Sequence, residues 1–238
     1  FSLFLAPFSY LYKSVVLIRI AVYKKRKKKF LPGFVVSIGN LTVGGTGKTP
    51  AACLLAEWAL EMGYRPAILS RGYGGKNKKK VLEVSDGVKI YAEPLEAGDE
   101  PYLMAKRLRN VPVVISRSRH EAGLFSHKKH GTNFFILDDG FQHLSLARDL
   151  DLVLVDGSNP FGNGHLLPWG PLREPLQQIE RADAVIITRS NSNNIYENGK
   201  LLLQHISGDK TLFRCDHLPD EVVFPLEARI YEADYLSG

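Results

Sequence analysis

The chain has 238 residues, of which 45% are hydrophobic, and a net charge of +6, which predicts one large domain or a large domain with a small companion. The basic excess is local, because the run KKRKKK at 24–29, which begins at Lys24 and ends at Lys29, holds six of the 31 basic residues and leaves 25, equal to the number of acidic residues. This distribution argues against a broad nucleic-acid-binding surface and for a local contact with something anionic.

The first 23 residues, FSLFLAPFSYLYKSVVLIRIAVY, are apolar and aromatic, but Pro7, Lys13 and Arg19 interrupt them. A spanning helix needs about 20 mostly apolar residues, and a signal peptide carries its charges before the apolar stretch. We therefore expect an amphipathic helix on a membrane surface, with Lys24 to Lys29 against anionic head groups. The alternative is a helix that packs on its own domain and is followed by a solvated basic loop.

Strands and helices alternate from Phe34 onward, and several strands are apolar throughout, as in a parallel sheet covered on both faces. The periodicity predicts strands at 34–39, 67–70, 111–116, 134–139, 150–156 and 184–190, with a hairpin at 81–92. It predicts helices at 50–63, 100–109, 118–129 and 172–183. The fold class is therefore α/β, a P-loop NTPase-like, mostly parallel sheet flanked by helices.

The loop SIGNLTVGGTGKTP at 37–50 lies between a strand and a helix, which is the context of a P-loop. Its G-K-T end is in place, but Thr42 stands where the first glycine of the pattern is usual, which is tolerable if Thr42 avoids a positive φ. The alternative is a Gly-rich turn that caps a helix. The predicted nucleotide-binding residues are Thr42, Val43, Gly44, Gly45, Thr46, Gly47, Lys48 and Thr49.

A buried strand that ends in acidic residues is the expected partner of a P-loop, because it holds the metal. FFILDDGFQH at 134–143 supplies Asp138 and Asp139, although a single acid at this place would be an ordinary turn. Asp99 at a predicted helix start is equally typical of an N-cap, and Arg173–Glu174 of an ordinary helix-start pair. Such clusters can still converge on one crevice, because ligands of α/β sheets bind beyond the carboxyl ends of the strands.

In their order along the chain, these stretches resemble the tetraacyldisaccharide 4′-kinases of lipid A synthesis. The resemblance rests on LAPFSYLY, SIGNLTVGGTGKTP, LSRGYGG, AGDEPYLMA, FFILDDGFQH, RDLDLVLVD, LLPWGPLREP and RADAVIITR, and covers nearly the whole chain. It implies an ATP- and Mg²⁺-dependent transfer of phosphate to the 4′-hydroxyl of a lipid A disaccharide precursor. It also implies a peripheral enzyme on the cytoplasmic face of the bacterial inner membrane, with no nucleic acid and no obligatory protein partner. In this family Thr or Ser occupies the position of Thr42.

The resemblance also implies roles for individual residues. Asp99 matches the residue that helps to deprotonate the sugar hydroxyl. The implied catalytic residues are Lys48, Asp99, Asp139 and Glu174, and the implied metal ligands are Thr49, Asp138, Asp139 and Glu174. The implied phosphate or substrate contacts are Arg71, Arg119, Gln142, His143 and Arg173.

We expect a membrane-associating segment at 1–29, a kinase core at 30–214, and at 215–238 the start of a linker to a C-terminal domain that the chain lacks. In the family, Asp99 pairs with a histidine of that domain, so we expect this chain to bind nucleotide and turn over poorly.

Three other classes of protein are alternatives to a kinase of this family. Membrane-associated regulatory ATPases carry a lysine where this loop has Val43, and a GTPase switch would carry N-K-x-D where this chain has TRSNSN at 188–193. The third alternative, a catalytically impaired protein that binds lipid and nucleotide, stays open beside the kinase.

Overall fold

The computed structural model describes residues 2–190, 210–216, 221–224 and 229–232. Most of the predicted linker at 215–238, and part of the stretch TRSNSN, lie outside the described residues. The prediction of the domain boundaries therefore stays a prediction.

An eight-stranded sheet forms the centre of the molecule, with the strand order β3-β4-β2-β5-β1-β6-β7-β8. All neighbouring strands are parallel except β3, which runs antiparallel to β4 at one edge. The strands are β1 Phe34–Gly39, β2 Pro66–Ser70, β3 Leu82–Ser85, β4 Val113–Ile115, β5 Phe134–Asp138, β6 Leu150–Asp156, β7 Ala184–Thr188 and β8 Thr211–Cys215. Strands β9 (Glu221–Phe224) and β10 (Arg229–Glu232) pair in a separate antiparallel sheet. The predicted α/β fold with a mostly parallel sheet is confirmed.

The helices are a 3₁₀ turn Ser2–Leu5, α1 Ala6–Lys25, α2 Lys48–Glu61, α3 Pro94–Ala97, α4 Asp99–Arg107, α5 Arg119–His130 and a second 3₁₀ helix Leu176–Arg181. Successive residues of β1, β2 and β5 point to opposite faces of the sheet, as in any strand. Val36, Ile68 and Ile136 pack with α2 and α4 on one face, whereas Val35 and Leu69 pack with α5 on the other. Helices therefore cover both faces, and the carboxyl ends of the central strands converge at one edge.

The prediction of a helix at 172–183 is wrong, because only Leu176–Arg181 forms a short 3₁₀ helix. Leu172 makes β-bridges to Thr42 and Leu166 instead, so this stretch is held extended by its neighbours. Pro175 reinforces the break, since a residue that precedes proline is disfavoured in the helical region.

Helix α1 packs against the core through one narrow row of side chains and exposes an adjacent row of apolar side chains to solvent. Ser9 and Val16 are buried, and Tyr12 is half-buried between them. The exposed apolar stripe, with a spacing of three and four residues, consists of Phe8, Leu11, Val15, Ile18 and Val22, and Phe4 of the preceding 3₁₀ turn continues it. Among the described residues, α1 included, no helix combines the length and the apolar character that a membrane span requires.

Candidate active site

The loop between β1 and α2 has the backbone of a phosphate cradle. Gly44 and Gly47 have φ values of +118° and +80°, which favour glycine, and α2 begins immediately afterwards at Lys48. Thr42 is not among the described residues with positive φ, so a side chain at this position adds no backbone strain to the turn. The first turn of α2 thus points its free N–H groups and its dipole toward the loop, as anion binding at a helix N-terminus requires.

A second chain segment holds the first half of this loop in place. The Val43 N–H donates to the Pro171 carbonyl at 2.8 Å, and the Arg173 N–H donates to the Leu41 carbonyl at 2.7 Å. The extended stretch 171–173 therefore bonds to the loop on both sides of Thr42 and keeps Arg173 beside it.

A cleft of about 740 Å³ opens beside this loop, beyond the carboxyl ends of the central strands. The predicted residues that line it are Val43, Gly44, Lys48, Arg71, Asp99, Arg119, Asp138, Asp139, Gln142, His143, Arg173 and Glu174. The other predicted residues, Thr42, Gly45, Thr46, Gly47 and Thr49, belong to the loop and the first turn of α2 without lining the cleft. Residues from five separate sequence motifs, together with Arg119, thus meet in one place.

The two adjacent acids at the end of β5 have different surroundings. Asp138 is buried; the Ser70 hydroxyl donates to its Oδ2 at 2.9 Å, while its Oδ1 has no hydrogen-bond partner in the described chain. Burial raises the pKa of Asp138 to about 6, against the lowering effect of Ser70. Asp139, with φ +49°, accepts from Arg173 Nη1 at 2.9 and 2.7 Å and lies 3.9 Å from Lys48 Nζ.

These surroundings fit a magnesium ion held mainly by Asp138. A cation would satisfy the unpartnered Oδ1 and favour the ionised form of this buried carboxyl. In the described chain, no cluster of three or more His, Cys, Asp or Glu side chains could hold a metal by itself. That is compatible with magnesium, which commonly takes one or two carboxylates and completes its shell with water and nucleotide phosphates.

Glu174, predicted as a metal ligand, forms an ion pair in the structure. Its buried carboxylate accepts from Arg181 Nη2, and the Arg181 guanidinium lies 4.3 Å from the centre of the Phe141 ring. Burial raises the pKa of Glu174, while Arg181 opposes that rise. A role at the metal would require Glu174 to leave Arg181, and that role stays a prediction.

The side chains predicted to contact the substrate differ in their burial and in the hydrogen bonds that they already make within the chain. Arg119 is buried and donates to the backbone carbonyls of Asp138 at 3.1 Å and Ser116 at 3.3 Å; burial lowers its pKa to about 10. The Gln142 amide donates to the Asn40 carbonyl at 2.9 Å. Burial and the nearby arginines lower the pKa of His143 to about 4, so its imidazole is neutral near pH 7.

Asp99 and Glu100 are the first residues of α4, and both line the cleft. Gly98 occupies the N-cap position, and no side chain caps the helix. The structure therefore does not support the N-cap alternative for Asp99.

Helix α1 contributes to the cleft through Tyr12, Val16 and Arg19, which the sequence did not identify as site residues. Three of its polar side chains donate to backbone carbonyls of the core: Ser9 to Leu166 at 2.8 Å, Tyr12 to Arg173 at 2.9 Å and Arg19 to Gln142 at 2.9 Å. The sequence signal for this contact is the spacing of Ser9, Tyr12 and Arg19, which places the three polar side chains on one side of the helix.

A second cleft of about 770 Å³ shares Arg71, Tyr73 and Gly74 with the first. It is strongly basic: among its lining residues Glu121 is the sole acid, and Glu121 pairs with Lys80 at 2.8 Å. In the described part of the chain, Arg71, Lys78, Lys79 and Arg117 form no ion pair, so four cations face this cleft without a carboxylate.

Comparison with known proteins decides the family, because the sequence model of tetraacyldisaccharide-1-P 4′-kinase, LpxK, matches residues 1–227. The chain belongs to this family. Its relatives include a tetraacyldisaccharide 4′-kinase from Syntrophus aciditrophicus, 42% identical over all of this chain and 66% of the relative, and one from Pelobacter propionicus, 47% identical over 78% and 52%. The chain therefore spans between about half and two thirds of the length of these kinases.

The crystal structure of LpxK from Aquifex aeolicus in complex with ATP has the same fold. Its TM-score is 0.77 at 38% identity, over 98% of this chain and 70% of that one. The predicted family and the predicted P-loop kinase fold are thereby confirmed.

Proposed function

We propose that this chain binds ATP with Mg²⁺ and transfers the γ-phosphate to the 4′-hydroxyl of a tetraacyldisaccharide-1-phosphate at a membrane surface. One observation carries the proposal: the phosphate cradle and the N-terminal helix line the same cleft, while the helix exposes its apolar stripe. An acceptor anchored among lipid tails needs both features close together.

The reaction needs positioning and charge neutralisation more than covalent help. The loop N–H groups and Lys48 would hold the β- and γ-phosphates, and Asp138 with Thr49 would hold the magnesium ion. When bound, that ion neutralises charge that develops on the transferred group. Arg173 already neutralises Asp139, so the acid beside the metal ligand adds little repulsion to the incoming phosphates.

Asp99 is the candidate for the group that receives the acceptor proton. It stands at the start of α4 and lines the cleft that also holds Lys48 and Asp138. A carboxylate there can orient a hydroxyl for in-line attack and take its proton as the new bond forms.

The second cleft supplies charge for the rest of the acceptor. The family description places a phosphate at position 1 of the disaccharide. Arg71, Lys78, Lys79 and Arg117 could bind that phosphate while the 4′-hydroxyl reaches Asp99 in the first cleft.

Contact with the membrane would use the exposed apolar stripe of α1 and the lysines that follow it. Each apolar side chain that leaves water contributes about 1.5–3 kcal/mol when fully buried, and each lysine near an anionic surface about 1 kcal/mol. This arrangement supports a peripheral enzyme on the cytoplasmic face of the inner membrane, whose head groups are anionic.

The test is transfer of labelled γ-phosphate from ATP to the lipid disaccharide, in detergent and on vesicles. We expect Lys48→Ala to abolish the transfer, while Lys128→Ala, an exposed lysine outside the clefts, leaves it unchanged. ATP hydrolysis that needs no lipid acceptor and responds to a protein partner would instead identify a regulatory ATPase. Nucleotide binding without any transfer would identify an impaired binding protein.

A further inference from the structure

The motif RADAVIITR at 181–189 ends in two residues that contact the outside of the phosphate cradle. Thr188, the last residue of β7, places its Oγ1 3.3 Å from the Thr46 carbonyl oxygen and 3.4 Å from that of Val155. The next residue, Arg189, donates from Nη2 to the Gly45 carbonyl at 3.2 Å. Two consecutive peptide carbonyls of the loop are thus engaged from the same side.

The orientation of these carbonyls determines where the loop N–H groups point. In a trans peptide unit the C=O and the following N–H point in opposite directions across a rigid plane. Donors on the carbonyls of Gly45 and Thr46 therefore turn the N–H groups of Thr46 and Gly47 away from β7. A phosphate cradle consists of such successive N–H groups facing one anion.

Arg189 is itself fixed by the end of the neighbouring strand. Its φ of +51° lies in the left-handed region, which is uncommon for a residue with a side chain and often marks a functional position. Its Nη1 pairs with Asp156 Oδ2 at the end of β6, and the other oxygen of Asp156 accepts from the Ser158 N–H at 2.9 Å and its hydroxyl at 2.5 Å. Both carboxylate oxygens are thus occupied, which orients the guanidinium toward the loop.

We propose that Thr188 and Arg189 are positioning residues that preset the cradle for the β- and γ-phosphates, with Asp156 as their support. The proposal rests on the proposed function, namely that the loop binds a nucleotide. Neither residue lines the first cleft, whereas both contact carbonyl oxygens of the loop, so the role that we assign to them is exerted through the loop.

The experiment compares equilibrium binding of ATP, ADP and AMP to the whole chain by calorimetry. Arg189→Ala is expected to weaken ATP and ADP about tenfold or more, the worth of one charge-assisted hydrogen bond, and to leave AMP unchanged because AMP has no β-phosphate. Thr188→Val, which keeps the shape and removes the hydroxyl, is expected to act in the same direction with a smaller effect. Arg65→Ala, an exposed arginine just before β2 and outside both clefts, is the matched control.

A combined Asp156→Asn, Arg189→Ala variant is expected to bind ATP no more weakly than Arg189→Ala alone, because Asp156 acts only through that arginine. Equal losses for AMP and ATP would overturn the proposal and assign Arg189 to the base or ribose, and unchanged ATP affinity would overturn it outright. If the unaltered chain fails to bind ATP, the proposed function falls as well, which separates the two failures.

Discussion

Replacement of Asp138 by asparagine should stabilise the nucleotide-free protein at neutral and alkaline pH. Burial raises the pKa of this carboxyl from 3.8 to about 6, so the folded protein holds its proton more tightly than the unfolded chain does. The stabilisation from that proton is complete below about pH 4 and is lost as the pH rises through about 6. The difference corresponds to about 3 kcal/mol, since a tenfold change in proton affinity is worth about 1.4 kcal/mol.

Asparagine resembles the protonated carboxyl and can still accept from Ser70. We therefore expect Asp138→Asn to raise the free energy of unfolding by up to about 3 kcal/mol near pH 8, with the advantage shrinking below pH 6. The assay is urea unfolding of both proteins across this range, without magnesium or nucleotide. Asp139→Asn, which loses its ion pair with Arg173, should show no such gain. A variant less stable than the parent at pH 8, or an advantage that does not depend on pH, would refute the reasoning.

Three further predictions follow from other parts of the structure. Leu11→Ser with Ile18→Ser, both on the exposed stripe of α1, should reduce co-sedimentation with anionic vesicles more than tenfold without lowering ATP affinity; unchanged sedimentation would remove α1 from the membrane contact. Lys79→Glu with Arg117→Glu should raise the KM for the acceptor that carries the 1-phosphate and leave the KM for ATP unchanged. An equal rise in the KM for an acceptor that lacks the 1-phosphate would exclude a phosphate site in the second cleft. Arg148→Ala should lower the free energy of unfolding, measured with urea, by about 3–5 kcal/mol, because buried Asp151 then loses the guanidinium that lies 3.0 Å away. Adding Asp151→Asn to this variant should recover part of that loss, since no unpaired charge then remains buried.

The order of strands and helices could be predicted because the information is local. The sequence predicts β1 at 34–39 and β6 at 150–156, and both strands form at these positions. Their mostly apolar runs are typical of strands whose two faces are covered, although each run contains one buried polar residue, Ser37 or Asp151. The helix predicted at 172–183 is wrong because Leu172, at its start, is held extended by β-bridges to Thr42 and Leu166. The periodicity of apolar residues within a segment carries no information about bridging partners elsewhere in the chain.

The same division applies to the candidate site. Lys48, Asp138 and Asp139 can be predicted from the sequence because each lies in a compact motif: Lys48 begins the helix that follows the Gly-rich loop, and the two acids follow the apolar run of β5. The pairing of Glu174 with Arg181, and the contact of Arg189 with the loop carbonyl of Gly45, join segments whose proximity only the folded sheet establishes. Short motifs therefore predict the candidate site residues, whereas the residues that hold them in place come close only in the folded chain.

The placement of α1 connects the proposed membrane contact with the candidate site. Tyr12 and Arg19 donate to the backbone of Arg173 and Gln142, which line the cleft, and Arg173 in turn bonds both the loop at Leu41 and the carboxylate of Asp139. Two successive contacts, Tyr12 to Arg173 and Arg173 to Asp139, thus connect the helix with the acids beside the phosphate cradle. Because these contacts are made on the side of α1 next to its exposed apolar stripe, membrane contact and acceptor positioning need not compete for the same side chains.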